Sequence, residues 1–362
     1  MKMDIDEMLE RMVSCGASDL HLKVGGPPVL RINGALTPYE AIPSVTLEDM
    51  RESFEQMTSE VQRADFSEEL ELDFAYSMRS GGRVRVNAFS QCGTLGMVIR
   101  LVQTEAPMLD QLGLPEICKT LVMKPRGMVI VTGPTGSGKS TTLAAMINYL
   151  NDNKSRKIVT IEDPVEFVHR DNKCVFCQRE LGMDTRSFSE GLKHALRQDA
   201  DVILVGEMRD LDTTAAALTA AETGHLVLAT LHTPSAAQAV DRIIDIFPIH
   251  QQQQVRTQLA IVLEGVLYQT LIPNCEVGGS CVAVEILLCT TAVRNLIREG
   301  KTFQIPNVIQ TGSQYGMATL DHALIDLCRR GVITHEDAMA RCDNPTEMKL
   351  MLGKMPRHSP IK

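Results

Sequence analysis

The run Gly133-Pro-Thr-Gly-Ser-Gly-Lys-Ser-Thr141 is suited to hold a phosphate chain. Gly133, Gly138, Lys139 and Ser140 satisfy the pattern G-x-x-x-x-G-K-[ST]. Gly133, Gly136 and Gly138 let backbone N–H groups turn inward around an anion, with Thr135 and Ser137 between them. A helix expected over 141–150 would add the partial positive charge of its N-terminus. Lys139 would neutralise β- and γ-phosphate charge, and the Ser140 hydroxyl would ligate Mg²⁺. The ligands expected are therefore ATP and Mg²⁺. Such a loop needs one carboxylate to organise the metal and another to polarise water. Two acidic clusters qualify, Ile161-Glu162-Asp163-Pro164-Val165-Glu166 and Val202-Ile-Leu-Val-Gly-Glu207. In the second, Gly206 intervenes and Glu207 stands where an Asp is usual.

Two histidines, His225 and His232, frame the apolar run 226–231. Their spacing does not make a metal pair, and no third ligand is apparent. Each is either an ordinary structural histidine, a sensor of the γ-phosphate or an interface switch. Cys174 and Cys177 superficially resemble half a zinc site, with Cys275 and Cys281 as partners. In a strand, however, Cys174 and Cys177 would face opposite sides, so all four read as structural thiols.

The elements that must hold these residues follow from periodicity. From about Leu114 short apolar runs alternate with helical segments: Met128–Thr132, Lys157–Ile161, Val202–Val205 and Leu226–Leu231. That alternation predicts an α/β domain whose mainly parallel sheet is covered on both faces. Both acidic clusters directly follow such runs, at the edge where parallel sheets bind ligands. After Gln251 the pattern reads as mostly helical. Before residue 107 the texture differs. Ile5, Met8, Leu9 and Met12 have helical spacing, and Thr46 starts a second helical segment. Strands are expected at 19–24, 28–33, 83–89 and 95–102, with turns at Asn33-Gly34 and Gly81-Gly82. The expected organisation is a small α+β domain over 1–106, a linker over 107–113 around Pro107, and an ATP-binding domain over 114–362 with a helical C-terminal part.

Composition narrows the function. Lys and Arg total 36 against 45 Asp and Glu, a net charge of −9, and aromatic residues are 4% with no Trp. This disfavours a nucleic-acid translocase, which needs basic surface and stacking groups. The acidic start lacks the apolar core of a signal peptide, and no run of about 18 apolar residues exists to span a membrane. Ten scattered cysteines without a secretion signal read as reduced thiols in a cytoplasmic protein.

These motifs, in this order, resemble the secretion-type ATPase superfamily and within it the PilT-like retraction ATPases of type IV pili. Ala17-Ser-Asp-Leu-His-Leu22, Gly26-Pro-Pro and Arg31 are similar to the family's amino-terminal domain. The runs 133–141, 161–166, 202–207 and 223–232 match its Walker A, Asp box, Walker B and His box. Ala292-Val-Arg-Asn-Leu-Ile297 differs by one residue from the AIRNLI segment associated with retraction members. The resemblance implies a PAS-like domain joined to a RecA-like P-loop ATPase core. It further implies a homohexamer that works on the platform protein of the inner membrane at the pilus base, alone or beside a paralogous retraction ATPase. The chain would then be peripheral, not inserted. Glu162 would be the general base, Glu207 would support Mg²⁺, and Arg83, Arg85 and Arg100 would reach nucleotide phosphates. The alternatives are an accessory retraction, extension or secretion motor of the same superfamily, and a nucleotide-dependent scaffold that does not hydrolyse ATP.

Overall fold

The computed structural model describes residues 3–32, 34–42, 44–102, 106–276 and 279–353. Asn33 of the expected turn and Thr104 at the domain break lie outside them. The chain divides into two compact units, Met1–Thr104 and Glu105–Lys362.

The first unit runs α1 (Ile5–Ser14), β1 (Ala17–Lys23), β2 (Val29–Ile32), β3 (Ala35–Pro38), α2 (Leu47–Met57), α3 (Glu60–Glu69), β4 (Glu71–Ser77), β5 (Arg83–Gln91) and β6 (Thr94–Val102). Asp4 caps α1 by accepting from the N–H of Asp6 and Glu7, and Ile5, Met8, Leu9 and Met12 are buried together on one stripe. The sheet is antiparallel in the order β3-β2-β1-β6-β5-β4. Its alternation is clean. Val84, Val86 and Ala88 face the core with Met97 and Ile99, while Arg83 and Arg85 point the other way.

The second unit runs α4 (Ile117–Val122), β7 (Gly127–Thr132), α5 (Lys139–Asn153), β8 (Lys157–Glu162), β9 (Val175–Glu180), α6 (Phe188–Ala195), β10 (Val202–Val205), α7 (Leu211–Glu222), β11 (Leu226–Leu231), α8 (Ala236–Asp245), α9 (Ile249–Val262), β12 (Leu263–Pro273), β13 (Ser280–Leu288), α10 (Thr291–Arg298), α11 (Ile305–Thr311), α12 (Leu320–Arg329), α13 (His335–Arg341) and α14 (Pro345–Leu352). Its sheet has the order β13-β12-β7-β11-β10-β8-β9. All neighbours pair parallel except β13, which is antiparallel at one edge. Strands β7, β10 and β11 are buried at every residue, as a sheet covered on both faces requires. Successive residues serve opposite layers. Met128, Ile130, Ile203 and Val205 pack with α6 to α9, whereas Val129, Val131, Val202 and Leu204 pack with α4 and α5. Helices α12 to α14 close a separate cluster over Ile272 and Ala283.

The region after Gln251 is mostly helical as expected, but two long strands the pattern did not mark, β12 and β13, follow α9. Leu263, Val266, Leu267 and Leu271 have helical spacing, and pairing of β12 with β7 overrides it. Residues 107–113 carry a short 3₁₀ turn, Leu109–Leu112, that belongs to the second unit. There Leu109 is buried and Asp110 meets Lys119 at 2.6 Å. No described helix is long and apolar enough to cross a membrane.

Candidate nucleotide site

The parallel pairing brings the carboxyl ends of β7, β8, β10 and β11 to one edge of the second unit's sheet. Gly133 to Gly138 join β7 to α5 there. Gly133 adopts φ +148°, and a Cβ at that position would stand 2.2 Å from the Gln269 carbonyl oxygen. The loop therefore lies flat against β12, which only glycine permits. Gly138 begins α5 without a side-chain cap. The first-turn N–H groups, with Ser140 and Thr141 beside them, are left to an anionic ligand. Lys139 is nearly buried. Its Nζ donates to the carbonyls of Gly133 and Pro134, both at 2.9 Å, and lies 3.4 Å from His232 Nδ1. Burial pushes the lysine's pKa down, with Glu207 and Glu166 pulling the other way. An uncapped helix start, a glycine cradle and an ammonium held by its own loop fit a nucleotide polyphosphate.

The two carboxylates differ in their surroundings. Glu162 ends β8. Its Oε1 accepts from Thr160 Oγ1 at 2.6 Å and from Gln178 Nε2 at 3.2 Å. Burial holds the carboxyl above the ordinary glutamate value, and those two donations oppose the rise without cancelling it. Glu207 follows β10, one residue past Gly206. A Cβ on Gly206 would come 3.3 Å from Glu162 Cα, so the glycine lets this loop lie against the neighbouring strand end. Glu207 Oε1 pairs with Arg209 Nε at 2.7 Å, and Oε2 lies 3.4 Å from His232 Nε2. Burial works against ionisation of Glu207, but the Arg209 hydrogen bond and the charges of His232 and Arg209 outweigh it and lower the pKa. Glu162, Glu166, Glu207, Arg209 and His232 line one cleft with the phosphate loop, about 540 Å³ in volume. Glu207 and Ser140, both on this cleft, are oxygen donors of the kind that suits Mg²⁺.

Not every expected residue meets the cleft. His225 lies at the opposite edge of the sheet, before β11 begins, about 20 Å from His232 at a strand rise of about 3.3 Å per residue. Its Nδ1 lies 3.0 Å from the Ala220 carbonyl, and its own carbonyl accepts from Gly127 N–H. That is a helix-end contact, and it corrects the expectation of nucleotide contact within this unit. Arg83, Arg85 and Arg100 belong to the first unit. Arg85 and Arg100 are cross-strand partners, so with Arg83 they share the face away from the core. Arg100 Nε holds Asp19 Oδ1 at 2.8 Å, and Arg85 stands 3.9 Å from Asp73. The cysteines are all free, and no metal-binding cluster is found among the described residues. Cys174 is buried and donates to the Lys154 carbonyl.

Besides Arg209 and Thr160, two further residues escaped sequence reasoning. Gln269 of β12 is 1% exposed and donates to the Ser137 carbonyl at 2.6 Å, bracing the phosphate loop from behind. Gln178 of β9 contacts Glu162. A buried glutamine in an apolar strand was the available signal for the first, and nothing local marked the second.

Comparison with known proteins agrees with this geometry. The family model described as Type II/IV secretion system protein matches residues 1–305. The Pseudomonas aeruginosa type IV pilus retractation ATPase PilT is 48% identical over 343 residues, which are 95% of this chain and 99% of that protein. The type IV pilus ATPase PilU of the same organism is 43% identical over 350 residues, 97% of this chain and 91% of that one. A crystal structure of the pilus retraction motor PilT with bound ADP matches with a TM-score of 0.88 at 44% identity, covering 95% of this chain and 98% of that chain.

Proposed function

The chain belongs to the Type II/IV secretion system protein family, and we propose that it is the Mg²⁺-dependent ATP-hydrolysing motor of type IV pilus retraction. It is a P-loop ATPase of α/β, RecA-like fold. The observation that carries the retraction assignment is the 48% identity to PilT along 95% of the chain. The 43% identity to PilU over 97% of the chain favours one second reading, an accessory motor in the same machine.

In this reading the phosphate loop and the start of α5 bind the β- and γ-phosphates, and Lys139 exchanges its loop carbonyls for phosphate oxygens. Ser140 and Glu207 would hold Mg²⁺, which would supply neutralisation of phosphate charge when bound. Arg209 and His232 keep Glu207 ionised for that task. Glu162 orients water and accepts its proton as the oxygen–phosphorus bond forms. The bond between the β,γ-bridging oxygen and the γ-phosphorus breaks with its electrons on ADP, giving ADP, phosphate and a proton. A carboxyl whose pKa is raised toward the working pH suits a base better than one held low. Arg83, Arg85 and Arg100 are phosphate ligands offered by a neighbouring subunit of a homohexamer, a role supported by their shared sheet face. The assembly acts on the platform protein from the cytoplasmic side of the inner membrane.

The test pairs ATP turnover of the purified, light-scattering-sized chain with twitching of cells that depend on it. Wild-type protein is expected to turn over ATP as an approximately sixfold assembly and to restore twitching, and Lys139→Ala to lose both. Turnover unchanged by Lys139→Ala would remove the site assignment. Full twitching in cells lacking the chain would leave the accessory reading.

A further inference from the structure

We propose that Gln178 and Thr160 are positioning residues of the hydrolytic carboxylate: both engage Oε1 of Glu162, so that Oε2 is the atom that takes the proton from water. The inference rests on the reading of Glu162 as the base. Strands β8 and β9 pair in parallel with Thr160 opposite Gln178 and Glu162 opposite Glu180. The four side chains therefore share one face of the sheet.

The donor directions are fixed by the surroundings. Gln178 Nε2 donates to the Phe167 carbonyl at 2.9 Å and to Glu162 Oε1 at 3.2 Å, while its Oε1 accepts from His169 N–H at 2.8 Å. A flipped amide would set oxygen against two oxygens and NH₂ against an N–H, so only one orientation satisfies all three partners. Thr160 is fully buried, and its hydroxyl proton is directed to the same Oε1 at 2.6 Å. Glu180 is buried one step further along β9 and accepts from Val165 N–H at 3.1 Å, tying down the loop between the carboxylate and Phe167. Edge strand β9 thereby holds both the loop and the orientation of the carboxyl plane. A carboxylate has about four lone-pair positions. Both side-chain donors engage Oε1, and the Glu166 backbone adds a further hydrogen bond to the carboxylate, so Oε2 is the oxygen that neither side-chain donor engages.

The same contacts set the pH response. Burial raises the Glu162 pKa, while donations from Thr160, Gln178 and the Glu166 backbone lower it and the Glu166 carboxylate raises it again. The other titratable groups around it are Asp163 beside it in the chain, His169 in the following loop, Lys139 at the start of α5, Glu207 and Arg209 after β10, His232 after β11 and Glu180 on β9. Removing a donor destabilises the charged form, so the pKa climbs and the acid limb of kcat moves to higher pH.

The experiment measures kcat and KM of the full chain from about pH 5 to about pH 9, with fluorescent ADP binding as a separate readout. The variants are Gln178→Leu, Thr160→Val, Thr160→Ser and Glu162→Gln. Gln178→Leu and Thr160→Val are expected to lose about tenfold in kcat, the size of one hydrogen bond to a charged group, with ADP affinity retained and the acid limb displaced upward. Thr160→Ser keeps the hydroxyl and restores the wild-type limb. An unmoved limb in both Gln178→Leu and Thr160→Val, with Glu162→Gln inactive, overturns the inference alone. So does a parallel loss of kcat and ADP affinity without displacement, which is the behaviour of a merely structural contact. Turnover retained by Glu162→Gln overturns the base assignment itself, and this inference with it.

Discussion

The carboxyl ends of β8 and β10 present the same side chain, a glutamate, to the same cleft from strands that are direct neighbours in the sheet. Their electrostatics are opposite. Glu162 meets neutral donors, Thr160 and Gln178, and burial keeps its carboxyl above the ordinary value. Glu207 meets cationic and imidazole groups, Arg209 and His232, and is held below it. Neutral donors orient a carboxylate while leaving it able to take a proton, whereas an arginine keeps it charged and so suited to a metal. In the proposed function, one residue type thus serves two tasks through what surrounds it.

The largest effect should come from removing charge at each position in turn. Glu162→Gln is expected to keep nucleotide affinity and lose roughly 10²- to 10⁴-fold in turnover, the usual worth of a positioned base. Glu207→Gln is expected instead to raise the Mg²⁺ concentration needed for half-maximal rate. Titrating Mg²⁺ against both variants checks this, and exchanged phenotypes would reverse the two assignments. A second, intermediate effect lies in the wild-type pH profile. Because the Glu162 pKa is raised, the active ionised form is lost as pH falls through a value above the ordinary glutamate range, so the acid limb of kcat should lie there. A limb at or below the ordinary value would erase the contrast between the two glutamates. The smallest effect is expected from Arg209→Ala. Arg209 is largely exposed, and exposed pairs are worth about 0–1 kcal/mol, so turnover near neutrality should change by less than about fivefold. The loss should grow as pH falls, because the Glu207 pKa drifts back up when its cation is gone.

The segment 292–297 lies on α10. Within this retraction-associated segment Val293 and Ile297 are fully buried, whereas Ala292 and Asn295 are exposed. Arg294 donates to the carbonyls of Ala260 and Ile261 at the end of α9 and pairs with Glu264 at 2.9 Å. The arginine is a clamp on that helix end, which its place in the motif does not reveal.

The phosphate loop, the parallel strands β7, β8, β10 and β11, and both acidic strand ends were legible because each depends on a contiguous run. The loop needs glycines at fixed offsets, and a doubly covered strand needs an unbroken apolar stretch. Other features depend on which strands become neighbours. β12 has helical spacing and becomes a strand because β7 offers it an unpaired edge. Gln269 matters because that pairing sets it behind Ser137, and Gln178 because β9 lies beside β8. His225 and His232 flank one strand and look equivalent in the chain, but a strand has two ends and the sheet puts only His232 at the ligand edge. The sequence by itself determined the residue types that bind phosphate and carry negative charge. The tertiary structure decided which hydrogen bonds and charges surround each carboxylate, because those contacts join strands far apart in the chain and set pKa through burial and distance.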